Sequence, residues 1–278
     1  MIELKKIEEL VDSIAKVLPA GGTQLREEVR DNVRIVLESA FARMNLVTRE
    51  EFDAQTLLLR RTREKLETLL GEVADKNKLM IHAADVSNAH EVDALFKAVI
   101  ERFGRLDVMV NNAGVASGGP IAEVSDEDWK RVMAINVDGV FHCTRAAMPH
   151  LQESGGCIVN TSSVSGLGGD WNFATYNTSK GAVSNFTRAV ALDYATTGVR
   201  VNAVCPSLTR SELTDDMFEK DDLMAKFAER IPMGRGAEPE EVGDVIVFLA
   251  SDDARFVNGV NLPVDGGLSA SNGQPALG

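Results

Sequence analysis

Residues 157–180 read C-I-V-N-T-S-S-V-S-G-L-G-G-D-W-N-F-A-T-Y-N-T-S-K, and this stretch decides the fold. The apolar run at 157–159 continues into polar residues and a glycine-rich turn, which predicts a buried strand that ends in a loop. A helix is then predicted to begin near Ala174. On that helix Tyr176 and Lys180 are four residues apart, so their side chains share one face.

This spacing of tyrosine and lysine predicts a chemical role. A free tyrosine has a pKa of about 10, and a lysine ammonium beside it favours the phenolate, which suits proton exchange near neutral pH. Ser163 stands thirteen residues before Tyr176, at the end of the predicted strand, where its hydroxyl can hold a carbonyl or alcohol oxygen. A tyrosine and a lysine four apart arise by chance on solvated helix faces. The serine at this distance makes an acid/base site the favoured interpretation.

In this order, the three residues resemble the catalytic serine, tyrosine and lysine of the short-chain dehydrogenase/reductases. The resemblance implies an α/β fold with a doubly wound parallel sheet of the Rossmann type. It also implies hydride transfer between a nicotinamide cofactor and an alcohol or ketone. Tyr176 is then expected to be the acid/base, Lys180 to lower its pKa and hold the cofactor ribose, and Ser163 to position the substrate oxygen.

Motifs elsewhere in the chain extend this resemblance. The sequence N-N-A-G at 111–114 resembles the family's turn beside the cofactor, and Asn136 in I-N-V-D-G-V-F resembles the asparagine that holds a proton-relay water. Pro206-Ser207 stands where the family usually has Pro-Gly, and Ser211 stands where a threonine usually meets the nicotinamide amide. The cofactor contacts that the resemblance implies are Asp85 and Val86 at the adenine ring, Asn112, Ala113, Gly114, Tyr176, Lys180, Pro206, Ser207, Thr209 and Ser211.

A narrower resemblance concerns the substrate. The runs G-C-I-V-N-T-S-S-V-S-G-L-G-G-D-W, V-C-P-S-L and N-L-P-V-D-G-G look like the 2,3-butanediol (acetoin) dehydrogenase branch, over essentially all of 76–278. This resemblance implies a small secondary alcohol or hydroxyketone as substrate. Trp171 either walls a small substrate pocket or packs on its own loop, and the sequence leaves both interpretations open.

The overall composition argues against several other classes of protein. The formal net charge is −13 and the pI is near 4.8, so the chain lacks the basic surface that nucleic-acid binding requires. No apolar run is long enough for a transmembrane helix, and the start of the chain lacks the apolar centre of a secretory signal. Three widely spaced cysteines and four histidines show neither a disulfide framework nor metal-ligand spacing. We therefore expect no metal site and a reducing, cytoplasmic location.

The first 75 residues show three helical patterns and no strand, which predicts an all-α segment. The third pattern, over 48–74, opens with a capping box at Thr48. It then repeats apolar residues every seven positions, at Phe52, Leu59, Leu66 and Val73. This heptad predicts either a short coiled coil or an amphipathic helix packed inside a globular bundle.

The run L-V-T-R-E-E-F-D-A-Q-T-L-L-L-R-R-T-R-E-K-L in this segment resembles small bacterial proteins of the membrane-fusogenic, ubiquinone-biosynthesis accessory-factor family. That resemblance implies peripheral membrane contact through residues 2–44 and a trimeric coiled coil behind them. A trimer has a threefold axis, whereas the dehydrogenase family is usually tetrameric with twofold axes. We therefore expect a homo-oligomer, trimer or tetramer, in which one of the two assembly modes gives way.

One part of the dehydrogenase pattern is missing from the sequence. The glycine-rich turn T-G-x-x-x-G-x-G should precede Asn111 by about sixty residues, and its loss removes the first two strands, the centre of the sheet. Over 76–278 predicted strands alternate with predicted helices, which is typical of a parallel α/β sheet. They include one long helix from a cap at Ser125 to about Gln152 and an acidic helical segment at 211–229. The predicted fold is therefore a truncated, Rossmann-like doubly wound parallel sheet over 76–278, preceded by the all-α segment 1–75. The strand expected at 78–84 loses its usual neighbour, and we predict that it pairs with the strand expected at 106–110.

Two functions are compatible with these observations. The first is an oxidoreductase for a small alcohol or ketone that uses NAD, with NADP left open, and is impaired because the main phosphate anchor is absent. The second is a non-catalytic coiled-coil assembly protein, or a membrane-adjacent accessory protein, that carries a degenerate reductase domain. A third interpretation is that two unrelated coding segments were joined.

Overall fold

The computed structural model describes residues 78–274. The chain divides into two compact units, Met1–Met80 and Ile81–Gly278, and the second holds all the strands and helices given below. The predicted all-α segment, with its coiled coil at 48–74 and its membrane contact at 2–44, lies outside the described residues.

The centre of the second unit is a sheet of four parallel strands, which lie side by side in the order in which they occur along the chain. Each strand is a short, valine-containing apolar run, as expected where helices cover a parallel sheet. The parallel α/β architecture predicted from the alternation of strands and helices is thereby confirmed. The bounds are β1 Val108–Asn111, β2 Cys157–Thr161, β3 Arg200–Pro206 and β4 Asn261–Val264.

Seven α-helices lie within residues 78–274. The fourth begins at the predicted residue, and the acidic segment expected as one helical stretch at 211–229 forms two separate helices. Their bounds are α1 Ala89–Phe103, α2 Asp126–Met133, α3 Gly139–Ser154, α4 Ala174–Asp193, α5 Asp215–Phe218, α6 Asp221–Arg230 and α7 Pro239–Ala250.

A π-helical turn, Ala134–Asp138, joins α2 to α3 and interrupts what the sequence predicts as one long helix. The helix start is as predicted, because the Ser125 hydroxyl accepts a hydrogen bond from the Asp128 N–H at 3.0 Å. Single π turns inside helices often occur at functional sites. This one carries Asn136, which the sequence marks as a site residue.

The core lies on both faces of the sheet. Ile158 and Val201 join a cluster with apolar side chains of α1, α3 and α4, whereas Val159 and Val204 join a second cluster with α7. Alternate residues of β2 therefore point to opposite faces, as the pleat requires. None of the helices in the described part of the chain is long and apolar enough to cross a bilayer.

The strand expected at 78–84 does not form, and the prediction that it pairs with 106–110 is wrong. In the described part of the chain β1 pairs only with β2. The chain just after 78–84 is anchored elsewhere: a Cβ on Gly139 would lie 2.7 Å from a Val86 methyl, and the Val86 carbonyl lies 3.2 Å from His142 Nδ1. Val86 is therefore anchored on the start of α3.

One face of β1 is largely exposed. Met109 packs into the cluster on the α3 side, but Val108 and Val110 point to the other face and are 39% and 38% exposed. Helix α7 covers β2 and β3 on that face, and nothing comparable covers β1 among residues 78–274. Both valines therefore lie on an uncovered face of the sheet within the described residues.

Candidate active site

Three side chains that the sequence marks as catalytic lie where β2 ends and α4 crosses it. Ser163 follows β2 by two residues, and Tyr176 and Lys180 occupy the first two turns of α4. The Lys180 Nζ lies 5.7 Å from the centre of the Tyr176 ring. The predicted grouping of a serine, a tyrosine and a lysine is therefore present.

Lys180 is buried and is held by the end of β2. Its Nζ donates a hydrogen bond to the Thr161 carbonyl at 2.7 Å, so the ammonium is fixed by backbone rather than by a carboxylate. Burial penalises the charged form and lowers the pKa of Lys180 to about 8, against a smaller opposing effect of Cys205. The lysine is thus poised to lose its proton just above neutral pH.

The Tyr176 phenol is in a different electrostatic state from the one expected. Burial raises the pKa of Tyr176, a hydrogen bond from Ser163 lowers it in part, and the charge of Asp170 raises it further. The sequence predicts that Lys180 favours the phenolate, whereas desolvation is the larger effect on the pKa of Tyr176 in the structure. Tyr176 is therefore a protonated acid at neutral pH.

Ser163 is buried and turned toward the end of β3. Its hydroxyl lies 3.1 Å from the Ser165 hydroxyl and 3.4 Å from the Pro206 carbonyl, which are alternative acceptors for its single hydrogen, and it accepts from the Ser165 N–H at 3.1 Å. The Pro206 contact ties the serine to the predicted Pro-Ser turn.

Asn136 contributes a clamp rather than a free amide. Its Oδ1 accepts from the Val115 N–H at 2.8 Å, and its Nδ2 donates to the Val115 carbonyl at 2.8 Å and to Ser179 Oγ at 3.0 Å. Protein groups thus take both amide hydrogens of the side chain expected to hold a relay water, and Oδ1 keeps one lone pair. It fixes the loop after β1 against α4.

The N-N-A-G turn lies beside these residues. A Cβ placed on Gly114 would sit 3.4 Å from Asn136 Oδ1 and 3.5 Å from Lys180 Nζ, so the turn passes directly over the lysine. Asn112 accepts a hydrogen bond from the Thr161 hydroxyl at 3.1 Å, and Ala113 between them is exposed. The structure therefore brings three of the predicted cofactor residues to the catalytic group.

Asp85 and Val86 lie farther along the same edge of the sheet. The Asp85 carboxylate accepts from the Ser87 N–H at 2.9 Å and from the Ser87 hydroxyl at 2.7 Å, so it stabilises its own turn. Val86 lines a small cavity of about 50 Å³ together with residues at the end of β1, including Asn112 and Ala113. Their contact with an adenine ring stays a prediction.

The predicted residues after β3 form a separate group. Ser207 donates from its N–H to the Val264 carbonyl at 3.4 Å and lines a cavity of about 330 Å³ on the β4 side. The Thr209 hydroxyl donates to the Ser207 carbonyl at 3.1 Å, and the Ser211 hydroxyl lies 3.1 Å from Thr214 Oγ1. The hydrogen bonds of Thr209 and Ser211 therefore lie within the loop after β3.

Sequence reasoning missed the group that sets the position of α4. The buried Ser162 hydroxyl donates to the Lys180 carbonyl at 3.0 Å and lies 2.7 Å from Ser184 Oγ. Gly166 approaches the same carbonyl so closely that a Cβ there would lie 2.5 Å from the Lys180 oxygen. The first serine of T-S-S and the first glycine after it were the available signals.

Gly166→Ala is expected to displace α4 from β2, because the Lys180 backbone cannot yield as a flexible side chain would. Overpacking of this kind costs about 1–3 kcal/mol. Urea unfolding should show this loss of stability, and any catalytic activity should fall with it. Gly168→Ala is the matched control, since nothing lies within 4 Å of a Cβ at that position. Equal stability of the two variants would contradict the close approach.

Comparison with known proteins identifies the family. The family model described as enoyl-(acyl carrier protein) reductase matches residues 48–269. The chain belongs to the short-chain dehydrogenase/reductases. A second family model, described as membrane fusogenic activity, matches residues 1–78 of this short-chain dehydrogenase/reductase, so the two matches overlap over 48–78.

Several characterised relatives of this dehydrogenase/reductase are oxidoreductases. It is 45% identical over 250 residues to meso-2,3-butanediol dehydrogenase of Serratia marcescens, a match that covers 89% of this chain and 98% of that protein. It is 39% identical over 198 residues to 2-(R)-hydroxypropyl-CoM dehydrogenase of Xanthobacter autotrophicus, which covers 70% of this chain and 79% of that protein. The oxidoreductase class predicted from the motifs is confirmed.

Solved structures support the same fold. Gluconate 5-dehydrogenase of Burkholderia cenocepacia, in complex with NADP and tartrate, superposes with a TM-score of 0.65 at 33% identity, covering 67% of this chain and 74% of that one. ElxO with NADP bound superposes with a TM-score of 0.69 at 30% identity, covering 75% of this chain and 86% of that one. The Rossmann-like fold class is thereby confirmed.

Proposed function

We propose that this protein is an NAD(P)-dependent oxidoreductase that interconverts a small secondary alcohol and the corresponding ketone, of the 2,3-butanediol and acetoin type. The observation that carries the proposal is the placement of Tyr176 between Ser163 and Lys180 at the carboxyl end of β2. The similarity to meso-2,3-butanediol dehydrogenase supports this substrate class.

In the direction of reduction, Tyr176 acts as the general acid. Its raised pKa keeps the phenolic proton in place at neutral pH, ready for transfer from Oη to the carbonyl oxygen. Ser163 holds that oxygen with its hydroxyl, and Lys180 places a positive charge beside the phenol as it loses its proton. A reduced nicotinamide, when bound, supplies the hydride to the carbonyl carbon.

The chain has residues that suit the nicotinamide end of the cofactor, but it lacks the turn that would hold the pyrophosphate. Gly114, Asn112 and Lys180 lie together and suit the nicotinamide ribose, since the glycine leaves room directly above the Lys180 ammonium. The sequence has no glycine-rich turn to bring backbone N–H groups to the pyrophosphate. We therefore propose that NAD, or NADP in its place, binds weakly, and that the activity is impaired.

A direct assay tests the proposal. When acetoin is added to purified protein with NADH or NADPH, the absorbance at 340 nm should fall as the cofactor is oxidised. The rate should saturate only at millimolar cofactor. The stereochemistry of the butanediol product then defines the substrate further. No acetoin-dependent oxidation with either cofactor at millimolar concentration would refute the proposed activity.

A second candidate function rests on the match of residues 1–78 to the membrane-fusogenic family. In this alternative the helical segment 1–75, with its coiled coil at 48–74, assembles the protein and contacts membranes through 2–44, and the reductase-like domain 76–278 is non-catalytic. Solution mass separates the two proposals, because three copies would favour the coiled-coil assembly and four copies the enzyme. Both proposals include a cytoplasmic homo-oligomer, so the mass of a monomer would contradict both.

A further inference from the structure

Exposed apolar side chains gather on the loops that follow the carboxyl ends of the strands. In a parallel sheet these loops all lie at one edge, which here is the edge that carries Ser163 and Tyr176. Exposed apolar side chains that cluster at one place usually mark a binding surface. The members of this group, which we call the apolar rim, are Ile121 after β1, Leu167, Trp171 and Phe173 after β2, and Leu213 after β3.

Trp171 is the most exposed aromatic side chain of the rim, at 88%. The sequence leaves open whether this tryptophan packs on its own loop, and its exposure shows that it does not. The backbone beside it is fixed: Asn172 adopts a left-handed conformation, with φ of 59°, and its carbonyl accepts from the Gly119 N–H at 2.6 Å. The indole is therefore held out to solvent by a defined turn rather than by a loose loop.

Phe173 connects this turn to the acid/base. Its ring meets the Tyr176 ring edge-to-face, with centroids 6.1 Å apart. On its other side a Cβ on Gly118 would lie 3.0 Å from the Phe173 ring, so the loop after β1 packs directly against it. Phe173, two residues after Trp171, thus joins the turn that carries the indole to the Tyr176 ring.

We propose that the rim is a binding subsite for the apolar substituent of the substrate, with Trp171 as the specificity-determining residue. An alcohol or ketone whose apolar chain extends beyond four carbons buries that chain against the indole and the Phe173 ring, in addition to the contacts that it shares with butanediol. Aromatic side chains gain most from such burial because of their large apolar area. This inference rests on the proposed function and extends its substrate class to longer vicinal diols and hydroxyketones.

A pair of diols with the same head group tests the subsite. The ratio of kcat/KM for 2,3-octanediol to that for 2,3-butanediol should exceed one, and Trp171→Ala should lower this ratio about tenfold while butanediol oxidation is retained. Phe256→Ala is the control, because this aromatic is fully exposed but precedes β4, at the opposite edge of the sheet. Equal loss for both diols, or an unchanged ratio, would overturn the proposal.

Fluorescence provides a readout that does not need turnover. The chain has two tryptophans, so Trp129→Phe leaves Trp171 as the single reporter. Addition of 2,3-octanediol should shift Trp171 emission to shorter wavelength at concentrations at least tenfold below those of 2,3-butanediol. A shift without turnover would uphold the subsite and refute the proposed activity, whereas no shift up to the solubility of the diol would refute the subsite.

Discussion

Tyr176→Phe is expected to lower acetoin reduction by about 10²- to 10⁴-fold, the usual contribution of a general acid. The phenyl ring keeps the edge-to-face contact with Phe173, so the fold and the cofactor contacts should persist while the proton donor is lost. The measurement is the initial rate of NADH oxidation at saturating acetoin, together with the thermal unfolding temperature.

The chain provides a matched control for this substitution in its only other tyrosine. Tyr194 lies at the opposite end of α4 and packs against the cluster beside α3. Tyr194→Phe should leave the rate within about twofold, since no reacting group is near it. If the two variants lose activity equally, Tyr176 acts through the packing of α4 and not as the acid.

Lys180→Met is expected to abolish activity and yet to stabilise the protein at pH 7. The pKa of Lys180 is about 8 in the folded protein, against 10.5 for an ordinary lysine. Between these values the unfolded chain holds a proton that the folded protein has released, so the cost of burying this lysine falls as the pH rises. Below pH 8 the folded protein instead carries a buried ammonium, at a cost of about 3 kcal/mol.

The stability difference between Lys180→Met and the parent should therefore depend on pH. Urea unfolding gives the free energy of unfolding of each protein. The advantage of the variant over the parent should be about 2 kcal/mol smaller at pH 9.5 than at pH 7. Lys226→Met, at an exposed position on α6, should show the same difference at both pH values. A pH-independent difference for Lys180→Met would show that burial does not perturb this lysine.

The grouping of Ser163, Tyr176 and Lys180 was predictable from the sequence because their relations are local. Ser163 and Tyr176 are thirteen residues apart within one strand, turn and helix, and the helix periodicity places Lys180 on the same face. The start of α4 at Ala174 and the cap at Ser125 rest on equally local rules. Such local features can be predicted even where neighbouring parts of the family pattern are missing.

The features that sequence reasoning missed depend on contacts between distant segments. The sequence predicts a strand at 78–84 that does not form, and no periodicity reports the contact of Val86 with the start of α3 just after it. Burial of Lys180 likewise decides that desolvation outweighs the favourable charge at Tyr176. Of the glycines in V-S-G-L-G-G, only Gly166 makes the close approach to α4, and the sequence alone does not distinguish it from the others.

Direct titration with NADH tests the central claim, that a site with its acid/base residues in place still receives the cofactor without a glycine-rich turn. The fluorescence of NADH should rise with protein concentration and saturate. The dissociation constant should lie in the upper micromolar or millimolar range, and NAD should compete with NADH for the site. Absence of saturable binding at millimolar cofactor would contradict the account. The assembled Ser163, Tyr176 and Lys180 would then have no hydride donor to work with.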